Sequence, residues 1–91
     1  MPQLAVVPSV GDFEPGDDIG ITDPTGRELT GYWAGVRNDG VVLFLYMGGE
    51  LCRTYWPSHG KGDKALNALV LLLRIRHLRP SPEAKPGREK A

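Results

Sequence analysis

Between Gly16 and Pro57 the chain reads GDDIGITDPTGRELTGYWAGVRNDGVVLFLYMGGELCRTYWP, and this stretch decides the fold. Its apolar runs, Ile19–Ile21, Leu29–Val36, Val41–Met47 and Leu51–Trp56, are separated by Asp23-Pro24-Thr25-Gly26, Asn38-Asp39-Gly40 and Gly48-Gly49-Glu50. Each separator supplies the Gly, Asn, Asp or Pro that a tight turn needs for a positive or preset φ. The spacing suits antiparallel neighbours, so the stretch predicts a β-meander of four strands.

Within the runs, side-chain alternation assigns faces. Ile19 and Ile21 share one side. In the second run Leu29, Gly31, Trp33 and Gly35 oppose Thr30, Tyr32, Ala34 and Val36. Gly31 and Gly35 have no side chain to place, and strand glycines mark a bulge, a sharp bend or the close approach of another backbone. Val41–Met47 is apolar on both faces, as a central strand covered on both sides would be, so Leu43 and Leu45 are expected among the most buried residues. In the fourth run Leu51, Arg53 and Tyr55 oppose Cys52, Thr54 and Trp56, and Pro57 ends it.

Outside this stretch the sequence is less regular. Residues 1–15 form an N-terminal arm in which Pro2, Pro8 and Pro15 limit any strand to an edge piece around Leu4–Val7. Ser58–Asp63 is a polar loop. Asp63 is placed to cap a helix near 64–71, in which Leu66, Leu69, Val70 and Leu73 recur at helical spacing. From Leu72 to Leu78 a period of two returns, so the reading is a short helix followed by a fifth strand to about Arg79. The alternative is one long C-terminal helix across a four-stranded meander. Residues 80–91, rich in Pro and charge, are expected to be a disordered tail. The barrel domain then spans 16–79.

The 91 residues carry 11 basic and 11 acidic side chains, but unevenly. Met1–Glu50 holds eight acids against Arg27 and Arg37, a net −6, and Leu51–Ala91 holds nine bases against Asp63, Glu83 and Glu89, a net +6. Such a split either marks a polyanion-binding face or is neutralised within the fold. The single Cys52 excludes an internal disulfide, and the expected setting is reduced and cytoplasmic. The longest apolar run, Ala68–Leu73, is far shorter than the ~20 residues of a membrane span, so no membrane role is expected.

Motifs that carry chemistry are sparse. Cys52, His59 and His77 match no metal-ligand spacing. Cys52 lies in a strand, where it reads as a small packed residue rather than a nucleophile. His59 reads as a loop residue and His77 as a side chain at the rim of the sheet. Gly60-Lys61-Gly62-Asp63-Lys64 lacks the phosphate-loop spacing, and Asp63 occupies the anion position. Asp12, Glu14, Asp17 and Asp18 read as a solvated approach to the first strand. No catalytic group and no cofactor is expected.

The order of four strands, a helix and a fifth strand is similar in outline to the small, strongly bent antiparallel SH3-like, Tudor-like and Sm-like barrels. That resemblance concerns element order over Gly16–Arg79 alone and carries no residue roles. The aromatic residues carry the remaining signal. Tyr32-Trp33 and Tyr55-Trp56 sit on two strands, so one ring of each pair faces outward. Together with Arg53, Arg74 and Arg76 they would form an aromatic and basic surface able to stack bases and contact phosphates. The reading is therefore a non-catalytic binding module, first for nucleic acid, single-stranded by this chemistry. The alternatives are a protein-interaction or adaptor module, able to self-associate as a homo-oligomer through a sheet edge, and capture of a small ligand or nucleotide. A continuous positive face would favour nucleic acid, and an exposed apolar patch would favour a protein partner.

Overall fold

A computed structural model describes residues 8–78. The expected edge piece at Leu4–Val7 and the tail at 80–91 lie outside the described residues. After a single turn of 3-10 helix at Val10–Asp12 come β1 (Asp18–Thr22), β2 (Glu28–Arg37), β3 (Gly40–Met47), β4 (Glu50–Pro57), α1 (Asp63–Leu72) and β5 (Arg76–His77). The strands form one antiparallel sheet in the order β4-β3-β2-β1-β5. The fold is mainly β, with one short helix.

The turns form as their residues dictate. The Asp23 carboxylate accepts hydrogen bonds from the Thr25 hydroxyl at 2.6 Å and from the Thr25 and Arg27 amides at 3.0 and 2.9 Å, closing the β1–β2 connection. Those bonds, the Thr25 hydroxyl foremost, hold its carboxyl below the usual range. Gly48 and Gly49 both adopt positive φ, 62° and 87°, in the two-residue turn that joins β3 to β4.

The two strand glycines mark a bulge and a close backbone approach. The β2–β3 register shifts between Trp33 and Gly35, a bulge, and a Cβ at Gly31 would collide with the Phe44 carbonyl and stand 2.8 Å from Leu45 Cα. The core occupies one face of the sheet. Ile19, Ile21, Val41, Leu43 and Leu45 are fully buried there, under Leu66, Leu69 and Val70 of α1 and with Leu73, Ile75 and Phe13 at the margin.

Three expectations change. The sheet is not closed: β4 and β5 are its two edges, and no ladder joins them among the described residues. The expected strand over 72–79 shrinks to two residues because the helix keeps the preceding backbone. Leu73 N–H donates to Leu69 at 2.9 Å, Arg74 N–H to Leu71 at 3.1 Å and Ile75 N–H to Val70 at 3.0 Å. Arg74 then turns the chain with φ 52°, which also excludes one long helix. Asp63 is not the cap. Gly62, at φ 89°, takes that position, its amide held by the Asn38 carbonyl at 3.0 Å, and Asp63 lies in the first helical turn.

The acidic approach to β1 is more enclosed than expected. Asp17 is only 8% exposed and accepts a hydrogen bond from the Glu14 amide at 3.0 Å, and His77 Nε2 lies 3.1 Å from its carboxylate. Phe13 stacks between Trp33 and His77, with ring centroids 4.7 and 4.5 Å away.

Candidate functional site

The alternation that buries one face of the sheet turns the other outward, and among the described residues neither α1 nor the 3-10 turn covers it. On β2 that face presents Tyr32 and Ala34, on β3 Val42, Phe44 and Tyr46, and on β4 Leu51, Arg53 and Tyr55. Register sets them in rows: Tyr32 opposes Phe44 and Phe44 opposes Arg53, Tyr46 opposes Leu51, and Val42 opposes Tyr55. Leu51, Tyr46 and Tyr55 are 46%, 44% and 42% exposed, too much open apolar surface for a face under other structure. The bulge turns Val36, paired with Val41, to the core side, against the parity expected for it with Tyr32 and Ala34.

The rings are held in place. The Tyr32 and Tyr46 hydroxyls are 3.4 Å apart, with ring centroids at 6.1 Å in an edge-on arrangement. That hydrogen bond raises the Tyr46 phenol above its ordinary value. Tyr55 donates to the Asp39 backbone carbonyl at 3.0 Å and to the Asp39 carboxylate. The bond to the carboxylate is the main reason that its phenol is raised too.

The β2 bulge leaves a hollow in this face. It encloses about 420 Å³ over Val42 and Phe44, open where Gly35 has nothing within 4 Å of a Cβ, and Arg37 and Arg53 stand at its rim. A neighbouring hollow of about 360 Å³ lies between the same arginines, Asp39 and Tyr55. Among the described residues neither Arg37 nor Arg53 forms a salt bridge, so two guanidinium groups flank an apolar and aromatic floor.

Of the residues nominated from sequence, this face brings together Tyr32, Arg53 and Tyr55. Trp33 does not join them: it is 2% exposed, in the core against Phe13. Trp56 points toward the core side, half-buried, its Nε1 donating to the Thr54 hydroxyl at 2.9 Å. Arg76 lies on the outer face but at the opposite edge, over Gly20, where its Nη1 donates to the Arg74 carbonyl at 2.9 Å and the Thr22 hydroxyl at 3.3 Å. Arg74 is exposed in the turn before β5. The expected positive face carrying Arg53, Arg74 and Arg76 together is therefore not formed, because β4 and β5 are opposite edges.

Sequence reasoning missed Arg37, Phe44 and Tyr46. The signal was present, since Phe44 and Tyr46 share a parity opposite to Leu43 and Leu45. Among the described residues no group of three or more His, Cys, Asp or Glu converges as a metal site, and no helix is long and apolar enough to cross a membrane. Compared with protein-family models, curated proteins and solved structures, the chain matches none of them.

Proposed function

We propose that the chain is a non-catalytic module that binds single-stranded nucleic acid on the outer face of β2, β3 and β4. The observation that supports this reading is the set of Tyr32, Phe44, Tyr46 and Tyr55 rings on adjacent strands beside Arg37 and Arg53, two arginines without acidic partners among the described residues. Rings on a sheet offer their faces to unpaired bases, which a duplex keeps stacked inside. Guanidinium groups beside them take phosphate oxygens in a fixed fork. Nothing in this arrangement reads base edges, so the binding is sequence-tolerant.

Titrating a fluorescent oligonucleotide at low and near-physiological salt tests this. Affinity falls with salt by a slope of about −0.7 for each phosphate engaged. Phe44→Ala removes about 1–3 kcal/mol and leaves the slope unchanged, because stacking releases no counterions. Arg37→Gln with Arg53→Gln flattens the slope. Absence of binding at low salt and high protein concentration rejects the reading.

The exposed Leu51, beside Tyr46 and Phe44, favours a second reading, a protein-interaction surface. Aliphatic side chains add nothing to base stacking, whereas Tyr and Arg around an apolar centre compose protein interfaces.

A further inference from the structure

β4 is eight residues long and, among the described residues, pairs on one side only. The other edge, β5, offers two residues. In the two-residue Gly48-Gly49 turn the closing pair is Met47 with Glu50, and such a pair exchanges both of its backbone hydrogen bonds. Alternation then turns the N–H and C=O groups of Leu51, Arg53 and Tyr55 away from β3. Among the described residues no loop, cap or side chain bonds to those groups.

Natural edges are guarded by bulges, charges, Pro, shortness or cover. Among the described residues β4 is of full length, without bulge or cover, and its charges and Pro are Glu50 and Pro57 at its two ends and Arg53 alone at its middle. It matches β3 residue for residue from Glu50 to Pro57, and past the exposed Glu50 at its start its inward-facing Cys52, Thr54 and Trp56 are uncharged. Pro57, lacking an N–H, blunts only the end. The formal net charge of the chain is zero, so no long-range repulsion keeps two copies apart.

We infer that β4 pairs antiparallel with β4 of a second copy about a two-fold axis, joining two sheets into one. Free backbone groups must face free backbone groups, which leaves registers centred on Cys52, Arg53, Thr54 or Tyr55, and the last overlaps only Arg53–Pro57, with Pro57 lacking an N–H. Centring on Arg53 sets guanidinium against guanidinium, which repels. Centring on Cys52 overlaps only Glu50–Thr54. Centring on Thr54 overlaps Leu51–Pro57 and sets Arg53 against the partner's Tyr55, a ring that attracts the cation. In that register Cys52 opposes the partner's Trp56, and Thr54 meets its own copy in a non-hydrogen-bonded pair. The pairing is independent of what the outer face binds, but it brings the two Arg37 and Arg53 hollows toward one axis.

The experiment uses the full chain. Sedimentation of the wild type across micromolar to millimolar concentration gives a weight-average mass that rises toward twice the monomer's. Arg53→Pro removes one outward N–H, a change an edge strand accommodates, and lowers the dimer fraction with the far-ultraviolet circular dichroism unchanged. Thr54→Cys in a Cys52→Ser background gives an intermolecular disulfide under mild oxidation, since cross-strand neighbours of that kind lie about 4.5 Å apart, within disulfide reach. Arg53→Cys in the same background does not cross-link. A wild type that sediments as a monomer throughout, or cross-linking at position 53 instead of 54, overturns the inference, and the cross-link readout stands whether or not Arg53→Pro folds.

Discussion

The two faces of β3 are built from nearly the same residues and end in opposite environments. Val41, Leu43 and Leu45 point into the core and are fully buried, whereas on the other side Val42 is buried, Phe44 partly exposed and Tyr46 44% exposed. Hydropathy does not separate them. Cover does: α1 and the segment around Phe13 lie over one face, and nothing among the described residues lies over the centre of the other. An apolar central strand therefore shows that two faces are apolar, but only the neighbouring elements decide which of them becomes a core and which a contact surface.

Leu43→Ala opens a cavity beneath α1 and lowers stability by about 2–5 kcal/mol in chemical denaturation, a large share of what a domain of this size has. If the loss stays below about 1 kcal/mol, the inner face is not the core and the comparison breaks. Gly31→Ala comes next, at about 1–3 kcal/mol, because the added methyl group meets the Phe44 carbonyl and the β3 backbone must yield. Phe44→Ala on the outer face costs about 1 kcal/mol, and Tyr46→Ala less, in the same assay. A loss at Phe44 equal to that at Leu43 would mean that both faces are structural and would remove the basis for an exposed ring platform.

The smallest expected effect depends on pH and sharpens the contrast between a turn and the core. Asp23 titrates below its ordinary value because the folded state bonds to its carboxylate, so its contribution is present above the ordinary carboxylate pKa of ~3.9 and is lost as pH falls through the lower folded value. Asp23→Asn is thus less stable than the wild type at neutral pH, and the gap closes on acidification. A gap that persists in strong acid would assign the loss to packing instead of charge.

Much of this architecture was legible in the sequence. The four strands, their turns, the bulge near Gly35 and the burial of Leu43 and Leu45 all follow from local rules of turn chemistry and period two. The end of α1 did not, because Leu73 and Ile75 satisfy a strand pattern and a helix C-terminus equally well. Only the capping bonds from Arg74 and Ile75 back to Leu71 and Val70 decide between them. The candidate site was half legible. Parity showed that one ring of each Tyr-Trp pair faces outward but not which one; whether Trp33 or Tyr32 does depends on where Phe13 packs, and Phe13 precedes the first strand in an irregular segment. The split of Arg53 from Arg76 follows from strand order, which no local pattern encodes.

β1 and β5 run antiparallel, and the Leu78 amide bonds to the Asp18 carbonyl at 3.1 Å, so the start of β1 and the end of β5 lie at the same end of one short ladder. Tension applied between the two termini would act on those bonds one after another, as on a zipper, instead of on all of them at once. Among the described strand pairs the β1–β5 seam, two residues long, is the shortest to part in this way. Upstream of it, the Val10 amide's bond to Asn67 of α1 at 2.9 Å bears load first, and then the contact where His77, Phe13 and Asp17 meet.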